Sequence, residues 1–364
     1  MRKIVINGER FVEDKYYGTV RYTYEILLAL DKIVAPGSIT VFTPKCELDQ
    51  SQFQNIKLKK CGIISSKNSF IAALTRVCWK YILFSLYCFF TNSFTVNTTP
   101  VWGFCGFDII AIHDCTPEMY YAKEHYDETI NSWWKRLVRN EQKAAKKCKA
   151  VLTVSNSAKK DIVNVYHVPE QKVKVVPNAW QHFTRFEEDN RVLAKYNLKK
   201  GSYFFSLGSR LPHKNIKWVT YAASKYPHYT FVVTGDHHVT TDTEFEGKNP
   251  GNMIFTGYLK DEEIKALMHH CKAFIQPSFY EGFGIPPLEA MSVGADCIVS
   301  DIPVFREIYQ DSVWYLDPYG YDQIDLEKTM SETKESRELI LNKYSWEESA
   351  KELLNLLQKC TEKN

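Results

Sequence analysis

Two carboxylates with seven residues between them, Glu281 and Glu289, mark the stretch of this chain best suited to chemistry. They bracket a turn within Gln276–Asp301, QPSFYEGFGIPPLEAMSVGADCIVSD. Ala273–Ile275 predicts a strand that leads into the turn, and Gly282 and Gly284 allow the backbone to approach a ligand closely. Pro286 and Pro287 open a short helix, Gly294 closes it, and Cys297–Ser300 reads as the next buried strand. Such a strand–loop–helix unit turns backbone N–H groups and the positive end of a helix dipole towards an anion. With an acid on either side, the amides suit a diphosphate and the carboxylates suit hydroxyls, a combination that fits a sugar nucleotide. The competing reading is an ordinary strand–helix turn with two surface acids.

Candidate cations lie upstream. Tyr203–Leu207 predicts a strand running into Gly208-Ser209-Arg210-Leu211-Pro212-His213-Lys214-Asn215, and a helix follows over Ile216–Ser224. Gly208 permits a tight strand exit. Arg210 and Lys214 would then project above the strand ends, where open α/β sheets bind ligands. Two fixed cations beside a helix N-terminus suit a diphosphate leaving group. His113 and Asp114 end another strand, Asp108–Ile112; a histidine there either meets a ligand or is a satisfied structural residue. The pairs His237-His238 and His269-His270 lack metal-ligand spacing and no Asp-x-Asp stands at a strand end, so no metal is assigned.

The Gln276–Asp301 stretch resembles the signature of the retaining glycosyltransferases of the GT-B fold, in family four, which includes many bacterial capsule, O-antigen and exopolysaccharide enzymes. The residues that carry the resemblance are Glu281-Gly282-Phe283-Gly284 and Leu288-Glu289-Ala290-Met291. It implies an α/β chain of two Rossmann-like domains facing each other across a cleft, with no cofactor. It gives Arg210 and Lys214 to the leaving diphosphate and Glu289 to the ribose hydroxyls. Glu281 would orient the sugar, helped by the Phe283, Gly284 and Ile285 amides, and His113 would hydrogen-bond it while Asp114 holds the loop or the acceptor. Gly18 and Thr19 correspond to the family's loop after the first strand, Ser155 to a turn facing the cleft, and Tyr258 to an element near the nucleotide base. The implied partners are a UDP-, GDP- or dTDP-sugar and a lipid-linked saccharide acceptor. Mannosyl- and rhamnosyltransferases share the Gly-Ile-Pro-Pro form of the loop. Two departures stand out: a single glycine, Gly18, in the first loop, and Ala179 where the family has glycine after Pro177-Asn178.

The elements that must position these residues divide the chain into 1–179, binding the acceptor, and 180–344, binding the nucleotide sugar. A last helix, 345–364, crosses back to the first domain. At 364 residues with 45% hydrophobic content, two α/β cores can be filled. In the first domain, strands are expected at Lys3–Asn7, Ile39–Thr43, Ile56–Lys59, Ala150–Val154 and Val173–Val176. Helices are expected at Thr19–Leu30 and Asn131–Lys149. The second domain adds strands at Thr230–Thr234, Met253–Phe255 and Val313–Leu316, and a helix over Glu262–His270 capped by Asp261. Ten scattered cysteines and no signal peptide predict a cytoplasmic protein with reduced thiols.

Charge is uneven, +9 over residues 1–180 and −6 over the remainder, so one half should face something anionic. An acidic membrane surface at the inner face of the cell membrane fits; no nucleic-acid module is present. Ser69–Phe90 is the most apolar stretch, broken by Arg76 and Lys80. It is either a buried helix or one lying at a bilayer interface, with Trp79, Tyr81 and Phe84 as anchors. Asn131–Lys149 sets Lys135, Arg136, Arg139, Lys143, Lys146 and Lys147 beside Trp133 and Trp134, either a solvated face or a membrane contact. A nicotinamide dehydrogenase would need a Gly-x-Gly-x-x-Gly after the first strand, which is lacking. A non-catalytic GT-B-like subunit, binding a sugar nucleotide or another transferase, would be favoured by loss of Glu281, Arg210 or Lys214, and all three are present.

Overall fold

A computed structural model describes residues 2–12, 18–64, 70–99, 106–121, 131–207, 211–234 and 250–362. These fall into two compact units: Met1–Asn178 with Trp346–Asn364, and Ala179–Ser345.

The first unit is built on a seven-stranded parallel sheet, in the order β3-β2-β1-β4-β5-β6-β7. Its strands are β1 (Ile4–Asn7), β2 (Ile39–Thr43), β3 (Lys57–Lys60), β4 (Phe94–Asn97), β5 (Ile109–Ala111), β6 (Ala150–Thr153) and β7 (Val173–Val175). Helix α1 (Thr19–Asp31) follows β1. Next come α2 (Phe70–Cys78), a π-helical turn (Trp79–Phe84) and α3 (Ser85–Phe90), then α4 (Asn131–Lys147) and α5 (Asn156–Tyr166). The sequence gives no expectation for β4, yet this strand is central and all four of its residues are buried. It directly follows an apolar helix, and its apolar/polar alternation runs over only four residues, too short to stand out. Its Asn97 Oδ1 accepts from Asn7 Nδ2 at 2.8 Å, pairing the two strands where the order reverses.

The second unit carries a six-stranded parallel sheet, in the order β10-β9-β8-β11-β12-β13. The strands are β8 (Tyr203–Ser206), β9 (Thr230–Val233), β10 (Met253–Phe255), β11 (Ala273–Gln276), β12 (Cys297–Ser300) and β13 (Trp314–Leu316). Its helices are α6 (Arg191–Lys195), α7 (Ile216–Lys225), α8 (Asp261–His270), α9 (Ile285–Ser292), α10 (Pro303–Tyr309), α11 (Leu326–Ser331) and α12 (Arg337–Lys343). The start of α8 differs from expectation. Asp261 lies inside the helix; the backbone N–H of Lys260, one residue earlier, donates to Glu263 Oε2 at 2.9 Å. Both sheets are all-parallel and double-wound, as Rossmann-like domains are.

Helix α13 (Trp346–Glu362) returns to the first unit and packs on α1. Trp346 meets Tyr22 edge-on at 5.9 Å, and Ser349 Oγ donates to the carbonyl of Pro177 at 2.8 Å. No helix among the described residues is long and apolar enough to cross a membrane. The nine described cysteines are free thiols.

Candidate active site

In the second unit the strand order reverses between β8 and β11, the point where open α/β sheets bind ligands. The loops leaving these two strands meet there. Lys214, in the turn Pro212–Lys214, places its Nζ 2.7 and 2.9 Å from the two carboxylate oxygens of Glu281, in the loop after β11. Sixty-seven residues separate them in sequence. Gln276 Nε2 and Ser278 Oγ each donate to Glu281 Oε1 at 2.7 Å. Burial pushes the Glu281 carboxyl up, but the Lys214 charge, the His213 ring and these hydrogen bonds outweigh it and hold the group below the usual carboxylate range. Glu281 is therefore a fixed, oriented anion at neutral pH.

Asn215 fixes that geometry. Its backbone is left-handed at φ +53°, a conformation asparagine tolerates. Its Nδ2 donates to the carbonyls of Pro277 and Pro318, each at 2.9 Å, and Tyr321 Oη donates to its Oδ1 at 3.1 Å. One side chain thus ties together three loops. The Phe279 N–H donates to the His213 carbonyl at 2.8 Å and closes the clamp. Gly208 and Arg210, assigned to the same turn, lie outside the described residues, as do His237 and His238.

The glycine loop works differently from the sequence expectation in one respect. Gly284 caps α9 at φ +85°, and a Cβ there would sit 2.3 Å from the Phe305 ring. Glycine is required at this position by backbone angle and packing, so close approach of a ligand is not needed to explain it. Helix α9 begins at Ile285, one residue before the proline pair. Since Pro286 and Pro287 have no N–H, the amides assigned to a ligand at this end are those of Phe283, Gly284 and Ile285. Phe283 is buried and packs edge-on against Tyr344 at 5.3 Å, which leaves its backbone as its polar contribution.

Glu289 is buried in α9, and its Oε1 lies 2.7 Å from Nε2 of His182, a ring with no exposed surface. His182 carried no sequence signal; it is a lone histidine in the connection before α6. That contact restrains the Glu289 carboxylate. Tyr258 is well exposed beyond the end of β10, beside Gly257 at φ +70° with open space above it.

In the first unit, His113 Nε2 lies 3.0 Å from the Thr98 carbonyl. A carbonyl only accepts, so Nε2 carries the proton and Nδ1 is an acceptor. Burial holds the His113 pKa down, keeping the ring neutral, and Tyr22 packs edge-on against it at 4.8 Å. Asp114 Oδ1 accepts from the Thr116 N–H at 2.8 Å and so holds its own loop. Gly18 starts α1 at φ +50° with nothing near the Cβ direction, and the Thr19 carbonyl accepts from Thr23 Oγ1 at 2.8 Å. Ser155 is buried and caps α5, its Oγ accepting from the Ala158 N–H at 3.0 Å. That cap accounts for the serine without a substrate.

One cluster of possible metal ligands exists among the described residues. Glu188, His269 and His270 bring three ligand atoms within 4.8 Å of one another. The sequence spacing hides it, because Glu188 comes from 81 residues before His269. It sits at the C-terminal end of α8, before β11 begins, whereas Glu281 follows the other end of that strand.

Residues 17–180 match the model described as Glycosyltransferase Family 4, and residues 188–355 the model described as Glycosyl transferases group 1. The chain belongs to the family 4 glycosyltransferases. Among curated relatives of this chain, O-antigen chain mannosyltransferase RfbU of Salmonella typhimurium is 30% identical over 218 residues, 57% of this chain and 56% of that protein. The chain thus spans little more than half the length of that relative. Two solved structures are similar in fold across both chains. Sucrose-phosphate synthase from Thermosynechococcus elongatus has a TM-score of 0.72 at 14% identity, covering 100% of each chain. Anabaena HepE, in complex with UDP and glucose, has 0.68 at 12% identity, covering 99% of this chain and 100% of that one. The architecture of the glycosyltransferase is GT-B.

Proposed function

We propose that the protein is a retaining glycosyltransferase that moves a hexosyl or deoxyhexosyl group from a nucleotide-diphosphate sugar to a lipid-linked saccharide in cell-surface polysaccharide synthesis. The Lys214–Glu281 pair at the strand-order reversal of the second unit carries this reading. As the bond between the anomeric carbon and the diphosphate oxygen breaks, the electron pair leaves on the diphosphate. The acceptor hydroxyl oxygen bonds the same carbon and passes its proton to the departing diphosphate oxygen or to water. Lys214, joined by Arg210, stabilises the growing negative charge, a role preorganised cations fill well in a site that excludes water. Glu281, relieved of part of its lysine contact when the diphosphate arrives, orients the sugar. Glu289 takes the ribose hydroxyls, Tyr258 lies by the base, and the neutral Nδ1 of His113 accepts from a sugar hydroxyl. The +9 charge of residues 1–180 supports an anionic, lipid-diphosphate-linked acceptor and a position on the inner face of the cell membrane.

Relatives named as O-antigen mannosyltransferases and a fold neighbour holding UDP and glucose support the same class of donor. Thermal-shift measurements across UDP-, GDP- and dTDP-sugars test it, since a tight ligand raises apparent stability by mass action. One donor should stabilise the protein well above the others, and NMR of the product should show the donor's anomeric configuration retained. No shift with any donor, or an inverted product, overturns the reading. Protein cations stand in for a divalent metal, so turnover should persist in EDTA; loss restored by Mg²⁺ would contradict that part.

A further inference from the structure

The helical run Phe70–Phe90 has its apolar residues on both sides. Its inner side is satisfied: Trp79 and Phe84 are buried against Phe42, at 5.5 and 6.0 Å between ring centroids. The π turn makes this possible, because i→i+5 bonding brings residues five apart back to one side. Trp79 Nε1 also donates to the Cys61 carbonyl at 2.6 Å, and the buried Lys80 pairs with Glu9 at 2.9 Å. Trp79 and Phe84 are therefore core residues and not interfacial anchors.

The outer side is the unexpected one. Leu74, Val77, Cys78, Tyr81, Ile82, Ser85, Leu86, Phe89 and Phe90 are all exposed, a continuous stripe at helical spacing that only Ser85 interrupts. Phe89 and Phe90 are each 78% exposed. An amphipathic helix on a water-facing surface would show the reverse pattern, so this face is made to be covered.

Charge identifies the cover. α4 packs into the same core cluster as Trp79 and Phe84, on the same side of the sheet, and exposes Lys135, Arg139, Lys143, Lys146 and Lys147. Lys59 Nζ lies 4.6 Å from the ring centre of Tyr87, within α3, Lys3 Nζ donates to Tyr87 Oη at 3.3 Å, and just past the end of α3 Arg2 donates to Asn92. An apolar strip with cations beside it matches an anionic bilayer surface, acyl chains under the strip and headgroups at the rim. A second copy of the chain fits poorly, since a self-complementary contact would bring these cations together.

We propose that the outer face of residues 74–90 inserts into an anionic lipid bilayer, with the α4 cations seated on the headgroups. This deepens the membrane-linked part of the function proposed above, but recruitment requires no turnover, so the two can fail separately. Sedimentation with phosphatidylcholine vesicles, with and without phosphatidylglycerol, tests it. Wild type should partition onto the anionic vesicles and only weakly onto neutral ones. The combined variant Ile82→Ser/Leu86→Ser/Phe89→Ser should lose on the order of a hundredfold in partitioning at every salt concentration, as three large side chains leave the acyl region. Lys135→Glu/Arg139→Glu/Lys143→Glu should lose on the order of tenfold or more, chiefly at low salt. All six side chains are exposed, so both variants should keep the wild-type melting temperature and any donor-induced thermal shift. Undiminished vesicle binding by the serine variant overturns the proposal. So does a wild type that ignores anionic vesicles but self-associates through contacts the serine variant abolishes. Vesicle binding without any donor-induced shift would leave this surface standing and overturn the functional reading alone.

Discussion

Glu281 and Lys214 are close enough that each defines what the other can do. The lysine offers its charge to the position where a leaving diphosphate would arrive, and until then it neutralises the carboxylate. Replacing Lys214 with alanine should lower kcat by about 10²–10³ while leaving binding of the free nucleoside nearly unchanged, because the contact strengthens as charge leaves. Steady-state kinetics beside nucleoside titration check this; near wild-type turnover would remove Lys214 from the chemistry. The pair also predicts a pH signature. The folded-state pKa of Glu281 is depressed, so its contribution to stability is complete above the ordinary value of 4.5 and is lost as pH falls through the folded value. The gap in melting temperature between wild type and Glu281→Gln should therefore be widest above about pH 4.5 and close below it. A gap that widened on acidification would reverse the sign of the shift. At this scale the sequence was informative about types and poor about partners. Glu281, Lys214 and Glu289 are legible from their motifs. His182 and Asn215 are not, because their roles depend on contacts with residues 107 and up to 106 positions away.

Elements carry the next constraint. The glycine loop and α9 hold their shape through Gly284, whose positive φ and contact with Phe305 leave no room for a side chain. Gly284→Ala should destabilise the second unit by roughly 1–3 kcal/mol, from left-handed strain and overpacking together. Adding Phe305→Ala should not restore stability, since it relieves only the clash and opens a cavity. Thermal unfolding of wild type and the two variants decides; full recovery in the double variant would show that φ costs nothing there. Most strands and the principal helices were readable from period and capping, since buried parallel strands appear as short apolar runs. β4 escaped because its alternation runs over only four residues, and its neighbours in the sheet, not its composition, make it central. For α2 and α3 the sequence leaves a buried helix and an interfacial one both open, for a related reason. A run apolar on both sides reads as buried, and only the fold shows which half has no protein over it.

At the scale of the whole molecule, the chain leaves its first unit at Asn178 and returns to it at Trp346. That unit is incomplete until the last helix has been made. Without α13, Tyr22 would lose the Trp346 ring, the Pro177 carbonyl would lose the Ser349 hydroxyl, and the buried Ala350, Leu353 and Leu357 would be gone from the surface of α1. Each fully buried leucine is worth about 1.5–3 kcal/mol by area, so with the Trp346 and Ala350 contacts the loss is comparable to the whole stability of a marginally stable domain. The second unit has its own sheet and its own core around Phe204, Trp218, Phe231 and Ile298, a cluster that includes no residue of α13. A chain ended after Ser345 should therefore unfold its first unit while the second persists. Hydrogen exchange should show protection lost across β1, β4 and α1 and retained across β8, β11 and β12. Nucleotide should still raise the remaining melting transition, because Lys214, Glu281 and Glu289 all belong to the second unit. Loss of protection in both units would mean that the second depends on the first for its stability. Full protection in both would mean that α13 contributes little to the core it covers.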